Sequence, residues 1–144
     1  MKLLSVMITA LLLPVLAFTQ PNNDPSLKFV GKWLLVKHLY TEKGKTEDFL
    51  TSNEVYTYDF AKNGTYVLTL INKKNESTTI YKGKWKVITD GKKLRLYDNS
   101  LPSDPKQLVN DNILPIVRVS ATEFVTKELL FGMDLLGTSY YKKQ

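Results

Sequence analysis

The chain predicts an all-β fold of about eight short strands, closed as a sandwich or a barrel, and three observations predict it. Tyr81, Gly83, Trp85 and Val87 alternate with Lys82, Lys84 and Lys86, the period of two that gives a strand one dry and one wet face. Extended apolar runs meet at Asn63-Gly64 and Asp90-Gly91, pairs that favour the positive φ of tight hairpin turns. Beyond the N-terminal stretch, no apolar period of 3.6 residues persists long enough to specify a helix.

Met1 to Gln20 carries one lysine at its start, an apolar run from Leu3 to Leu16 and a small-residue end at Ala17-Phe18-Thr19. That run is too short to span a bilayer, so residues 1–19 read as a secretory signal peptide, cleaved after Thr19 or after Ala17. Residues 20–26, with Pro21 and Pro25, read as a flexible lead into one domain at 27–144, which is exported to the periplasm or beyond. No membrane span is expected in the mature chain.

Phe29 to Tyr40 is a first strand with two apolar faces: Phe29, Gly31, Trp33, Leu35 and Leu39 on one phase, Val30, Leu34, Val36 and Tyr40 on the other. Such a strand implies a covered outer face. Thr41 to Ser52 is polar and turn-rich, a connecting loop with at most a helical turn and one apolar knot at Phe49-Leu50. Tyr56, Tyr58 and Phe60 share a phase in the next strand, which turns at Asn63-Gly64 into Thr65 to Ile71, a strand whose inner face the pattern leaves open. Thr79 to Tyr97 forms the central hairpin. Pro102 and Pro105 make Asp98 to Asn110 a loop, and Pro115 places a bulge or an edge early in the strand from Asn112 to Ser120. A final pair, Glu123 to Phe131 and Met133 to Lys142, turns near Gly132.

Gly31-Lys32-Trp33 at the first strand, Tyr58-Asp59-Phe60 followed by Asn63-Gly64-Thr65-Tyr66, and the later Gly83-Lys84-Trp85 resemble the small secreted lipocalin-like, calycin-type domains of Bacteroidetes. The resemblance runs from Leu27 to the C-terminus. It implies a single antiparallel up-and-down β-barrel, an interior cavity for a ligand, and a lid in the connection from Thr41 to Ser52.

Composition narrows the function classes. With no cysteine among 144 residues, disulfides, thiolate metal sites, a catalytic thiol and a lipid-bearing cysteine are all excluded. The formal charge of +6 comes from lysines spread over outward positions and turns rather than from clustered arginine with exposed rings, so no nucleic-acid partner is expected. His38 is the single histidine and cannot build a multi-imidazole metal site. No Gly-x-Ser-x-Gly elbow and no phosphate-cradling glycine loop occurs, so neither an enzyme nor a cofactor is expected.

Trp33, Trp85 and Phe60 are expected in the core, since large rings serve burial first. Tyr56, Tyr58, Tyr66 and Tyr81 are the candidate ligand-binding residues, because a phenol inside a barrel brings a hydroxyl that needs a partner. Arg118, between Val117 and Val119, would join them and bind a ligand carboxylate or pair with Glu128 if it shares the inward phase of Ile116; an outward position is the other reading. The expected function is a secreted binding protein for a small apolar or amphipathic ligand. The alternative is a filled barrel that acts through its outer face.

Overall fold

The structure is a computed structural model, and it describes residues 24–100, 108–109, 111–130 and 135–144. The expected leader and its cleavage point, the loop at Pro102 and Pro105 and the turn at Gly132 lie outside those residues.

Among the described residues, ten strands follow a 3₁₀ turn at Pro25–Lys28: β1 (Gly31–Glu42), β2 (Lys45–Asp48), β3 (Glu54–Phe60), β4 (Thr65–Asn72), β5 (Ser77–Ile88), β6 (Lys93–Ser100), β7 (Leu108–Val109), β8 (Asn112–Val119), β9 (Glu123–Leu130) and β10 (Leu135–Lys143). Eight of them, β1-β3-β4-β5-β6-β8-β9-β10, pair antiparallel in that order, and β10 returns to β1, which closes an up-and-down barrel. The short β2 and β7 extend the margins beside β1 and β6. Among the described residues, closure leaves no long edge strand unpaired. Within the stretch from Thr41 to Ser52, expected as a connecting loop with at most a helical turn, Lys45–Asp48 folds back as β2 on β1, the turn made by Lys43 and Gly44 at positive φ.

Local chemistry explains the turns. Asn63 Oδ1 accepts from the amide and the hydroxyl of Thr65, at 3.1 and 2.7 Å, and Asn75 Oδ1 does the same for Ser77, at 3.2 and 2.7 Å. Both Asn-x-Ser/Thr triplets are thus turn-forming devices. Asp24, placed in the flexible lead by the sequence, caps the 3₁₀ turn by accepting from Ser26 N at 2.9 Å, while Pro25 supplies the fixed φ of its first position. Pro25 also lies where a Cβ on Gly91, in the β5–β6 turn, would meet it at 3.4 Å.

Register settles which side chains face inward. Tyr56↔Leu70, Tyr58↔Leu68 and Phe60↔Tyr66 pair across β3 and β4, so the undecided inner face of β4 is Tyr66, Leu68 and Leu70. Two bulges correct the sequence reading. In β1 the pairing with β10 slips between Leu35 and Lys37, so that Leu35 opposes Tyr141 and His38 opposes Ser139. The extra residue reverses every later side chain. Leu39 therefore leaves the phase of Trp33, and His38 and Tyr40 replace it. The two apolar faces of β1 are largely one inner face that changes phase, not a strand covered on both sides. In β8 the slip falls between Ile116 and Arg118, which takes Arg118 out of the phase of Ile116.

One end of the barrel is filled. Phe29, Trp33, Phe60, Trp85, Leu94, Leu96, Phe124, Tyr66 and Tyr141 form a continuous core, with Phe29 and Trp33 wholly inaccessible to solvent. The rings meet mostly edge-on or tilted: Trp33 with Phe124 at 4.9 Å, Phe29 with Phe124 at 5.2 Å, Phe60 with Trp85 at 5.2 Å between centroids. Each indole donates to a backbone carbonyl, Trp33 Nε1 to Phe29 O at 2.6 Å and Trp85 Nε1 to Ala61 O at 3.0 Å. Outside Trp33, the Lys143 ammonium sits 5.2 Å from the ring, and Gln144 N donates to Lys32 O at 3.0 Å.

The two Gly-Lys-Trp triplets need glycine for different reasons. Gly31 has a φ of +121°, which side chains rarely adopt. Gly83 is ordinary in backbone but lies beneath a polar crossing: Tyr66 Oη donates to Asn99 Oδ1 at 2.6 Å, and a Cβ on Gly83 would approach that oxygen to 2.5 Å and the Tyr66 ring to 2.8 Å. We expect Gly83→Ala to destabilise the fold by about 2–3 kcal/mol in urea titration, because both atoms it strikes belong to buried, paired groups.

Burial pushes the Tyr66 phenol up to about 12. In the unfolded chain a tyrosine ionises near pH 10, so this contribution is fully present below about pH 10 and is lost as pH rises towards about 12. Stability measured across that window should fall less steeply in Tyr66→Phe than in the parent; equal slopes would contradict the assignment.

Candidate functional site

Above the filled end, the barrel interior widens into a cavity of about 360 Å³ that opens to solvent. Its lower wall is apolar, with Leu35, Leu96 and Leu114 beside Tyr58 and Tyr141. These two rings stand nearly perpendicular with centroids 5.7 Å apart. They also belong to the packing beneath, where Tyr58 stacks on Phe60 at 5.5 Å and Tyr141 on Phe124 at 4.2 Å. The cavity floor is thus the upper surface of the core, held by the same rings.

The upper wall comes from the half of β1 beyond its bulge and from the segment after β2. His38 and Tyr40 line the cavity because the extra residue has turned them inward. The His38 ring shares a 2.6 Å hydrogen bond between Nδ1 and Ser139 Oγ, and Ser139 is buried. From His38 the rings continue edge to face, to Tyr40 at 4.3 Å and on to Phe49 at 4.6 Å. The position of Phe49 follows from Asp48, whose Oδ1 accepts from the amides of His38 and Leu50, both at 3.1 Å, while Phe49 N donates to His38 O at 2.8 Å. The apolar knot Phe49-Leu50 is thereby bound against the cavity mouth, with Phe49 still 55% exposed.

Glu54 and Tyr56 complete the polar part of the wall from β3. Both are half-buried. The Tyr56 phenol is pushed above its usual range, first by burial and then by the nearby Glu54 carboxylate. This part of the wall thus sets one carboxylate near a phenol.

Of the residues singled out in the sequence, the structure brings Tyr56 and Tyr58 to the cavity. Tyr66 does not line it; the ring is buried in the core and its hydroxyl is committed to Asn99. Tyr81 is half-buried on β5 opposite Leu68 and is also absent from the lining. Arg118 lies on the exposed outer side, its Nε 2.9 Å from Glu123 Oε1, because the β8 bulge reverses its face. The anticipated partner Glu128 has a side chain outside the described residues. Trp33, Trp85 and Phe60 are all buried in the filled end.

Leu35, His38, Tyr40, Phe49, Glu54, Ser139 and Tyr141 were not anticipated as lining residues. A phase change inside β1 was the available signal, since strict alternation could not place both Trp33 and Tyr40 inside.

Among the described residues, no group of three or more His, Cys, Asp or Glu side chains gathers as a metal site, and no helix is long and apolar enough to cross a membrane. No model of a known protein family matches the chain, and no curated protein matches its sequence.

The double acceptor at Asp48 is testable. In Asp48→Ala, hydrogen exchange at the His38 and Leu50 amides should accelerate about tenfold or more, the loss expected for a local hydrogen bond, while Trp33 and Phe124 amides keep their protection.

Proposed function

We propose that the protein is an exported, non-enzymatic binding protein of lipocalin-like type that holds one small apolar or amphipathic molecule in its barrel. The observation that carries this reading is the cavity of about 360 Å³ seated on a sealed aromatic core. Its size falls at the lower end of the range for small-molecule sites, and its wall joins leucine and aromatic side chains to polar groups in a mixed surface that suits an amphipathic molecule. Tyr58 and Tyr141 are pinned from below, so the floor is organised before any ligand arrives, which reduces the ordering that binding requires. Export is supported by the apolar run from Leu3 to Leu16 with its small-residue end. The lipocalin-like assignment is supported by the closed eight-strand meander.

A neutral fluorescent probe, N-phenyl-1-naphthylamine, tests the proposal. It should bind saturably at one site per chain, and Leu35→Trp, which places a larger ring on the cavity wall, should weaken it about tenfold or more. Circular dichroism and the unfolding midpoint verify that this variant is folded. Absence of saturable binding by this probe and by a panel of neutral lipids would overturn the reading in favour of a barrel that acts through its outer face.

A further inference from the structure

We propose that the cavity selects an organic cation, a protonated amine or quaternary ammonium on an apolar body, with its charge seated between Glu54 and the surrounding rings. This inference rests on the binding role above and names the class of ligand.

The first observation is the sign of the wall. Glu54 is the carboxylate among the lining residues, and no lysine or arginine among the described residues lines the cavity. That is notable in a chain with 20 Lys and Arg against 14 Asp and Glu. The arginine that would have received a ligand carboxylate, Arg118, is outside and paired with Glu123. The other titratable side chains on the wall are His38 and the phenols of Tyr40, Tyr56, Tyr58 and Tyr141, and the His38 ring is engaged with Ser139.

The second observation is the density of rings. Tyr40, Phe49, Tyr56, Tyr58 and Tyr141 all line the same cavity. An aromatic face carries negative potential, so a wall of phenols and phenyl groups attracts ammonium groups and repels carboxylates. A neutral ligand would gain contact area from these rings but nothing from Glu54.

The third is the setting of the carboxylate. Glu54 shares the inward phase of Tyr56 and Tyr58 on β3 and lies near the Tyr56 phenol. Among the described residues, no cation forms an ion pair with it. A partly desolvated carboxylate gains from an arriving positive charge, whereas an anionic ligand would meet like charge in a medium that screens poorly. At the mouth, Glu42 and Glu47 stand beside Lys43 and Lys45 around the same Tyr40 and Phe49, so these described rim residues balance in charge. Among the described residues, selection by sign therefore falls to Glu54.

Ligands that share a tail and differ only in the head isolate this effect. Isothermal titration of octylammonium, octyltrimethylammonium, octan-1-ol and octanoate at neutral pH and low salt should rank both cations about tenfold or more above the alcohol, with octanoate weakest. In Glu54→Gln the ratio of ammonium to alcohol affinity should fall to near unity. Octanoate binding as tightly as the ammonium, or a ratio untouched by Glu54→Gln, would overturn the inference while leaving the binding role intact. Failure of the whole series together with the neutral naphthylamine probe would overturn the binding role and the inference with it.

Discussion

The structure depends on β1 pairing along both sides and on the single residue inserted at its middle. A strand that accepts neighbours on both flanks, β3 and β10, is what closes the sheet. The bulge between Leu35 and Lys37 divides that strand into two halves with opposite side-chain phase. Below it, Trp33 enters the core; above it, His38 and Tyr40 enter the cavity. Without the extra residue, Leu39 would point inward and the cavity wall would lose both the imidazole and a phenol. One backbone irregularity thus separates a part of the interior built for stability from a part with room for something else.

The filled half illustrates how polar groups are kept inside an aromatic core. Three donors there, the two indole N–H groups and the Tyr66 hydroxyl, each find a partner at hydrogen-bonding distance. Leaving any one of them unpaired would cost about 1–3 kcal/mol, comparable with what burying a large ring contributes. The partners are two carbonyls at turns and one side-chain amide, all positioned by backbone that must be irregular where they sit. Phe29 O belongs to the residue after the 3₁₀ turn, Ala61 O opens the β3–β4 hairpin, and Asn99 follows Asp98, whose φ is +52°. The glycine beneath the Tyr66–Asn99 pair belongs to the same arrangement: only an absent side chain leaves space for a phenol and an amide to meet across β5.

Much of this was legible in the sequence. Alternation from Tyr81 to Val87, the Asn-Gly and Asp-Gly turns and the repeated Gly-Lys-Trp triplets identify an all-β chain and place Trp33, Trp85 and Phe60 inside. The cavity was less legible, and the reason is physical. A phase inferred from alternation holds only until a bulge, and a bulge is a property of the pairing between two strands rather than of either strand alone. The sequence of β1 displays apolar residues on both phases, which suits a strand covered on both sides as well as one that changes face midway. Arg118 was ambiguous for the same reason, since its direction depends on a slip against β9. Among the tyrosines, phase separated inside from outside but not depth: Tyr58 and Tyr66 lie on the same inner surface, their ring centroids 6.1 Å apart, yet one faces the cavity and the other is sealed by Asn99.

The charge of the cavity follows from the same geometry. Lysines dominate this chain, and the alternation that makes the strands also turns the lysines of β5 outward, leaving the interior to rings, aliphatic groups and short polar side chains. Glu54 is an exception to that sorting. It opens β3 in phase with Tyr56, Tyr58 and Phe60, so the registers that carry three rings inward carry the carboxylate with them. A one-residue change of register would turn Glu54 to solvent only by expelling those rings as well. The carboxylate on the cavity wall is therefore mechanically coupled to the aromatic core.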